Sequence, residues 1–170
     1  MKSNLFIILI LFSINILNSQ TLDDLDKKSS IKKFKLESKY EEYSKKLEFI
    51  FTSKKVKYYK YIENDIESIF GFEIKKIELG FYKNKLFFIS FSIPEKYKSE
   101  ESEIYNSLKT LFGETERLQN YGNGLLEYKW GYDWIAKKTY LKFEKPIKEK
   151  KIKIWMMSLK IKNEMTNDDF

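Results

Sequence analysis

An α+β domain, with a roughly six-stranded antiparallel sheet and two helices on one face, is what this sequence predicts. Three observations carry that expectation. Alternating apolar segments flank a tight turn, as in a β-hairpin. Two further stretches place apolar residues at helical spacing behind capping residues. Finally KLFFISFS (85–92) and KIWMMSLK (153–160) share a leading Lys, a four-residue apolar run and a Ser at the sixth place, so the chain reads as two copies of one α-β-β-β unit.

The elements follow in order. TLDDLDKKSS (21–30) is polar and reads as a flexible leader covering 20–30. Its Asp23, Asp24 and Asp26 lack the Gly turn and closing Glu of a calcium loop. Ile31 to Leu36 is a short lead-in. Ser38 followed by Glu41 forms a capping box, and Tyr40, Tyr43, Leu47 and Ile50 recur as one stripe, so a first helix is expected from Lys39 to about Phe51. Val56 to Ile62 is β-branched and aromatic, hence a strand. The loop from Glu63 to Phe72 carries one apolar anchor, Ile69-Phe70-Gly71. Ile77, Leu79 and Phe81 alternate up to Lys83-Asn84-Lys85, where Asn84 suits a left-handed turn position, and the chain returns through Leu86 to Ile93. Ser99 then caps a second helix, Glu100 to Phe112, with Ile104, Leu108, Leu111 and Phe112 on its buried stripe and Gly113 as its stop. Strands are expected at Leu125–Trp130, Lys138–Glu144 and Ile152–Ile161, and a polar tail at 163–170.

Face agreement tests the repeat, whose copies would span about 38–93 and 99–161 within a single domain from 31 to 162. Aligning Lys153 on Lys85 sets Phe87, Ile89, Phe91 and Ile93 against Trp155, Met157, Leu159 and Ile161. Every member of that face is large and apolar, as a strand buried on one side requires. Trp155, Met157 and Leu159 are therefore expected to face the helices.

The chain opens MKSNLFIILILFSINILNSQ. Lys2, an apolar run from Leu5 to Leu17 and a polar Asn18-Ser19-Gln20 have the layout of a secretory signal peptide covering 1–19, with cleavage expected after Ser19. An uncleaved anchor is the alternative, although the run is short against the roughly 20 residues of a spanning helix. The expected location is periplasmic or extracellular. The sequence has no cysteine and no histidine, which removes thiolate chemistry, imidazole bases and soft-metal sites. The net charge is +7, yet Arg117 is the only arginine, so bidentate phosphate recognition is poorly served and nucleic acid is disfavoured as a partner.

Leu111-Phe112-Gly113, Tyr128-Lys129-Trp130-Gly131 and the two strands after them resemble small exported bacterial proteins of unknown function. Their tandem helix-plus-three-strand plan is similar to the β-lactamase-inhibitor-protein fold. The resemblance implies binding of other proteins or a part in envelope assembly. The inhibitors' disulfides have no counterpart here, so inhibition itself is not implied.

No catalytic, cofactor or metal residues are expected. Glu63, Asp65 and Glu67 sit close together without a calcium-loop glycine. Ser90 and Ser158 occupy equivalent strand positions, outside any nucleophile turn. The strongest candidates are aromatic: Tyr121, Tyr132 and Trp134, in a Gly-rich region, are expected to contact a partner, the last two from a hairpin tip around Asp133, whereas Tyr128 and Trp130 read as core. The expected function is an exported, non-enzymatic binding or scaffold protein that recognises a protein or envelope component, through the sheet's exposed face or through this hairpin. The alternatives are a Lys-rich module for an anionic glycan, lipid headgroup or nucleic acid, and a hydrolase built on the three loop carboxylates.

Overall fold

This computed structural model of the chain describes residues 22–94, 100–115, 117–121, 128–146 and 151–168. The expected signal segment and the Ser99 cap lie outside the described residues. The architecture is α+β, with an eight-stranded, wholly antiparallel sheet where six strands were expected. Its strands are β3 (Leu47–Ser53), β4 (Val56–Tyr61), β7 (Lys76–Tyr82), β8 (Lys85–Pro94), β9 (Arg117–Tyr121), β10 (Tyr128–Ile135), β11 (Thr139–Pro146) and β12 (Lys151–Ser158). Two minor hairpins pair β1 (Ser30–Ile31) with β2 (Phe34–Lys35) and β5 (Ser68–Ile69) with β6 (Phe72–Glu73).

The strand order, β3-β4-β7-β8-β12-β11-β10-β9, describes two four-stranded meanders that meet along β8 and β12. KLFFISFS and KIWMMSLK are thus direct neighbours: Ile89 opposes Met156, Phe91 opposes Ile154, and Ile93 opposes Ile152. Each of the hairpin turns Lys54-Lys55, Phe70-Gly71 and Lys83-Asn84 places both central residues in the left-handed region, the backbone that matches strand twist. Asn84 therefore sits as its side chain predicts.

Three helices cover the sheet among the described residues. Helix α1 (Leu22–Lys28) and α2 (Glu100–Phe112) lie on one face, contributing Leu25, Ile104, Leu108 and Phe112 to a core with Leu79, Ile89, Phe91, Phe143, Ile154 and Trp134. Gly113, at φ 87, ends α2 with its N–H donating to the Lys109 carbonyl at 2.8 Å. Helix α3 (Leu159–Asn167) crosses to the other face, where Ile161 packs with Val56, Tyr82 and Phe87.

Four expectations are corrected. The segment expected as a first helix, Lys39–Phe51, instead makes two 3₁₀ turns, Tyr40–Glu42 and Ser44–Lys46, followed by β3. Ser38 does not cap a helix: its hydroxyl donates to the Lys35 carbonyl at 2.6 Å, while the Lys39 N–H donates to Glu42 Oε1 at 2.9 Å. Phe49-Ile50-Phe51-Thr52 is a β-branched and aromatic run, and ring contacts with Tyr58 and Tyr59 of β4 outweigh the helical stripe. The expected leader is α1, anchored by Leu25, which has no exposure. The closing strand stops at Ser158, whose hydroxyl accepts the Ile161 N–H at 3.2 Å, so the expected tail largely belongs to α3. Finally, Ile152, Ile154 and Met156 face the principal core, and Trp155 and Met157 face the other way. Lys151 and Lys153 share the face of Trp155, and that decides the orientation. The exact tandem α-β-β-β register is thereby lost.

Leu25→Ala is expected to cost about 2–5 kcal/mol in urea unfolding, because it empties a fully buried site. A change below about 0.5 kcal/mol, the range of ordinary surface substitutions, would return the segment to a flexible leader.

Candidate functional site

The expected contact residues sit elsewhere than at a hairpin tip. Strand β10 runs on to Ile135, so Tyr132 and Trp134 are interior strand residues at 8% and 1% exposure. Trp134 Nε1–H donates to the Gly113 carbonyl at 2.8 Å, and the Tyr132 hydroxyl donates to Glu101 Oε1 at 3.1 Å. Tyr132 also stacks on Tyr105 with centroids 4.3 Å apart. These rings therefore fasten α2 to the sheet, which leaves neither on the surface of the folded chain. Tyr121 ends β9, opposite Tyr128; its side chain lies outside the described residues. Trp130 is core, as expected.

The loop carboxylates separate by role. Asp65 accepts from the Tyr61 hydroxyl at 3.0 Å and pairs with Lys33. The Lys33 hydrogen bond, aided by that of Tyr61, outweighs desolvation and holds the Asp65 carboxyl below its ordinary pKa. Burial pulls Lys33 down, but its bonds to Asp65 and Tyr61 leave it raised. Glu63 and Glu67 line an open cleft of about 570 Å³ together with Lys60, Glu73, Lys75 and Lys76. All three carboxylates are exposed, and among the described residues no group of three His, Cys, Asp or Glu side chains could hold a metal ion. An exposed acid with a lowered pKa is poorly suited to proton donation near neutrality.

The sheet face carrying α3 also holds a polar network. Lys142 and Glu144, 3.3 Å apart, are 7% and 8% exposed, Trp155 Nε1–H donates to Glu144 Oε1 at 3.0 Å, and Lys142 lies 6.0 Å over the Trp155 ring. Tyr140 flanks the same indole at 5.0 Å. Ser90, also buried, opposes Trp155 across the β8–β12 pair. Lys142, Glu144 and Trp155 thus partner one another, a structural rather than receptive arrangement. On the opposite face a slot of about 220 Å³ opens between Ile31, Phe70, Leu108, Leu111 and Phe112, with Lys28 and Lys32 among its lining.

Among the described residues the one run of three consecutive exposed large apolar side chains lies on β3. That strand ends the sheet, and among the described residues no strand pairs with its outer edge. Phe49, Ile50 and Phe51 are 55%, 37% and 45% exposed. Their exposure follows from local geometry. The register with β4 shifts between Phe49 and Phe51, so the two rings lie on opposite faces of the sheet: Phe49 meets Tyr59 edge-on at 5.6 Å, and Phe51 stacks on Tyr58 at 4.7 Å. Sequence reasoning missed this triplet because Ile50 completed the apparent helical stripe. The usable signal was three adjacent large apolar residues followed, after Thr52 and Ser53, by a Lys-Lys turn.

Asp65, Glu114 and Asp168 all have lowered pKa values, each held down chiefly by a hydrogen bond from a lysine: Lys33, Lys109 and Lys83 respectively. A depressed carboxylate contributes stability above its unfolded pKa and loses it as pH falls through the folded one. Thermal stability is therefore expected to decline below about pH 4, and Asp65→Asn/Asp168→Asn is expected to flatten that acid limb. An acid limb as steep in the variant as in the natural chain would contradict these pairings.

Comparison of this chain with protein-family models, with curated proteins and with solved structures finds no match.

Proposed function

We propose that the chain is a non-enzymatic docking protein that holds a protein or envelope component against the β3–β4 edge. One observation supports this reading above the others: three consecutive large apolar side chains stand open on the edge strand, among the described residues, of a sheet whose two faces are packed. Exposed apolar groups of this kind mark interaction surfaces. Export through the signal segment 1–19, to the periplasm or beyond, belongs to the same proposal. So does the resemblance to small exported bacterial proteins of unknown function. A Lys-rich polyanion module is the second reading, favoured by the charge of +7; it predicts binding that collapses with salt and ignores the aromatic residues.

The full chain, sedimented with the envelope fraction of its own cells, is expected to be retained. Phe49→Ser/Phe51→Ser should lower the bound fraction by about tenfold, the loss of roughly 1.4 kcal/mol of apolar contact. Circular dichroism should stay unchanged, since both rings are about half exposed and the backbone pairing of β3 with β4 remains. Undiminished retention of this variant would overturn the edge as the contact surface.

A further inference from the structure

The edge also carries a one-sided charge pattern. Between Ser44 and Ile62 stand six lysines, Lys45, Lys46, Lys54, Lys55, Lys57 and Lys60, against a single acid, Glu48. All six are exposed. Lys45 and Lys46 precede β3 in the second 3₁₀ turn, whereas Lys54 and Lys55 form the hairpin turn at its other end. Lys57 and Lys60 stand on β4 opposite Thr52 and Glu48. The apolar triplet is thus bracketed by positive charge. Lys55 is tethered, its ammonium donating to the Asp168 carbonyl at 3.1 Å. Glu41 and Glu42 lie one turn further back, and Glu42 accepts the Lys39 N–H.

This pattern discriminates between partners. Addition of a protein strand needs a continuous outer ladder, and the bulge at Ile50 interrupts it and turns the two phenyl rings to opposite faces. A lipid interface has no such requirement. Aromatic and aliphatic side chains enter the boundary between headgroups and acyl chains, while lysines extend their stems and leave their ammonium groups among the phosphates. The outer-edge N–H and C=O groups of β3, which pair with no strand among the described residues, limit the depth to the hydrated layer, because an open sheet edge is not tolerated in hydrocarbon.

We infer that the β3–β4 edge docks on an anionic lipid surface, with Phe49, Ile50 and Phe51 entering the interface and Lys45, Lys54 and Lys57 facing phosphate headgroups. This rests on the reading of the edge as the contact surface and names its partner.

The test uses the full chain with vesicles of phosphatidylcholine, alone or mixed with phosphatidylglycerol. Because the sequence has no cysteine, Ile50→Cys takes a single environment-sensitive nitrobenzoxadiazole label. Lys137→Cys, in the β10–β11 turn, serves as the control. A local label is needed because the apolar run Leu5–Leu17 could itself attach the chain to vesicles. The label at 50 is expected to brighten and shift to the blue on mixed vesicles only, and the label at 137 to stay unchanged. Lys54→Gln/Lys57→Gln should lower partitioning by about 25-fold, from roughly fivefold for each lysine beside an anionic leaflet. Salt near 1 M, where screening acts within about 3 Å, should weaken binding similarly. Equal responses on both vesicle types would overturn the inference, as would partitioning unaffected by Phe49→Ser/Phe51→Ser, measured with the label at 50. Silence of the label on every vesicle would also overturn it. If envelope retention still depended on Phe49 and Phe51, the edge would then bind a protein or glycan. If it did not, the docking reading would fall as well.

Discussion

The pairing of β8 with β12 is the interaction on which the rest of the molecule depends. Each meander is a local structure, built from neighbouring segments joined by turns. Among the described residues only the β8–β12 ladder, from Lys151 opposite Pro94 to Met157 opposite Phe88, fuses the two into one sheet. On the principal face this ladder stacks Ile89 on Met156, Phe91 on Ile154 and Ile93 on Ile152, at the centre of the core that α1 and α2 cover. On the other face it sets Ser90 beside Trp155 and Ser92 beside Lys153. Small residues on one strand make room for large ones on the next, which allows Trp155 to lie flat enough to bond Glu144 and carry Lys142.

Joining two meanders at their last strands sends their first strands to the outside. That is why β3 and β9 are edges, and why the proposed contact lies at one end of the sheet rather than at its centre. The centre is closed on both sides: by α1 and α2 over the apolar face, and by α3 together with the Lys142–Glu144–Trp155 network over the other. Gly80 illustrates how tightly that second face is packed. A Cβ there would lie 3.1 Å from Phe88 Cβ and 3.1 Å from a Tyr58 ring carbon. Tyr58 is the ring on which Phe51 stacks. The open edge therefore rests on a close-packed neighbour, which gives its aromatic groups a fixed position rather than a loose one.

Much of this is legible in the sequence where local signals agree. The β7–β8 hairpin follows from the alternation of Ile77, Leu79 and Phe81 and from Lys83-Asn84, and α2 from its stripe and Gly113. Sequence and structure part where two patterns overlay each other. Tyr40, Tyr43, Leu47 and Ile50 keep helical spacing, but their neighbours Phe49 and Phe51 pair with β4, a contact no local pattern contains. In β12 both alternating sets hold large apolar residues, and extending the strand to Ile161 gives the wrong set two extra members that belong to α3. Trp134 reads as exposed only if the turn is placed before Ile135; a turn beyond that residue returns the indole to the core. Leu25 is a single anchor in a short polar helix, too little periodicity to register.

Amide hydrogen exchange, followed residue by residue in the full chain, tests the central claim most directly. If β8 and β12 join two meanders into one cooperative sheet with β3 as its open edge, the amides of Ile89, Phe91, Ile154 and Met156 should exchange together, only through global unfolding. The outward-pointing amides of β3 should exchange orders of magnitude faster. Separate exchange of the β8 and β12 amides, or protection of the outer edge of β3 equal to theirs, would contradict it.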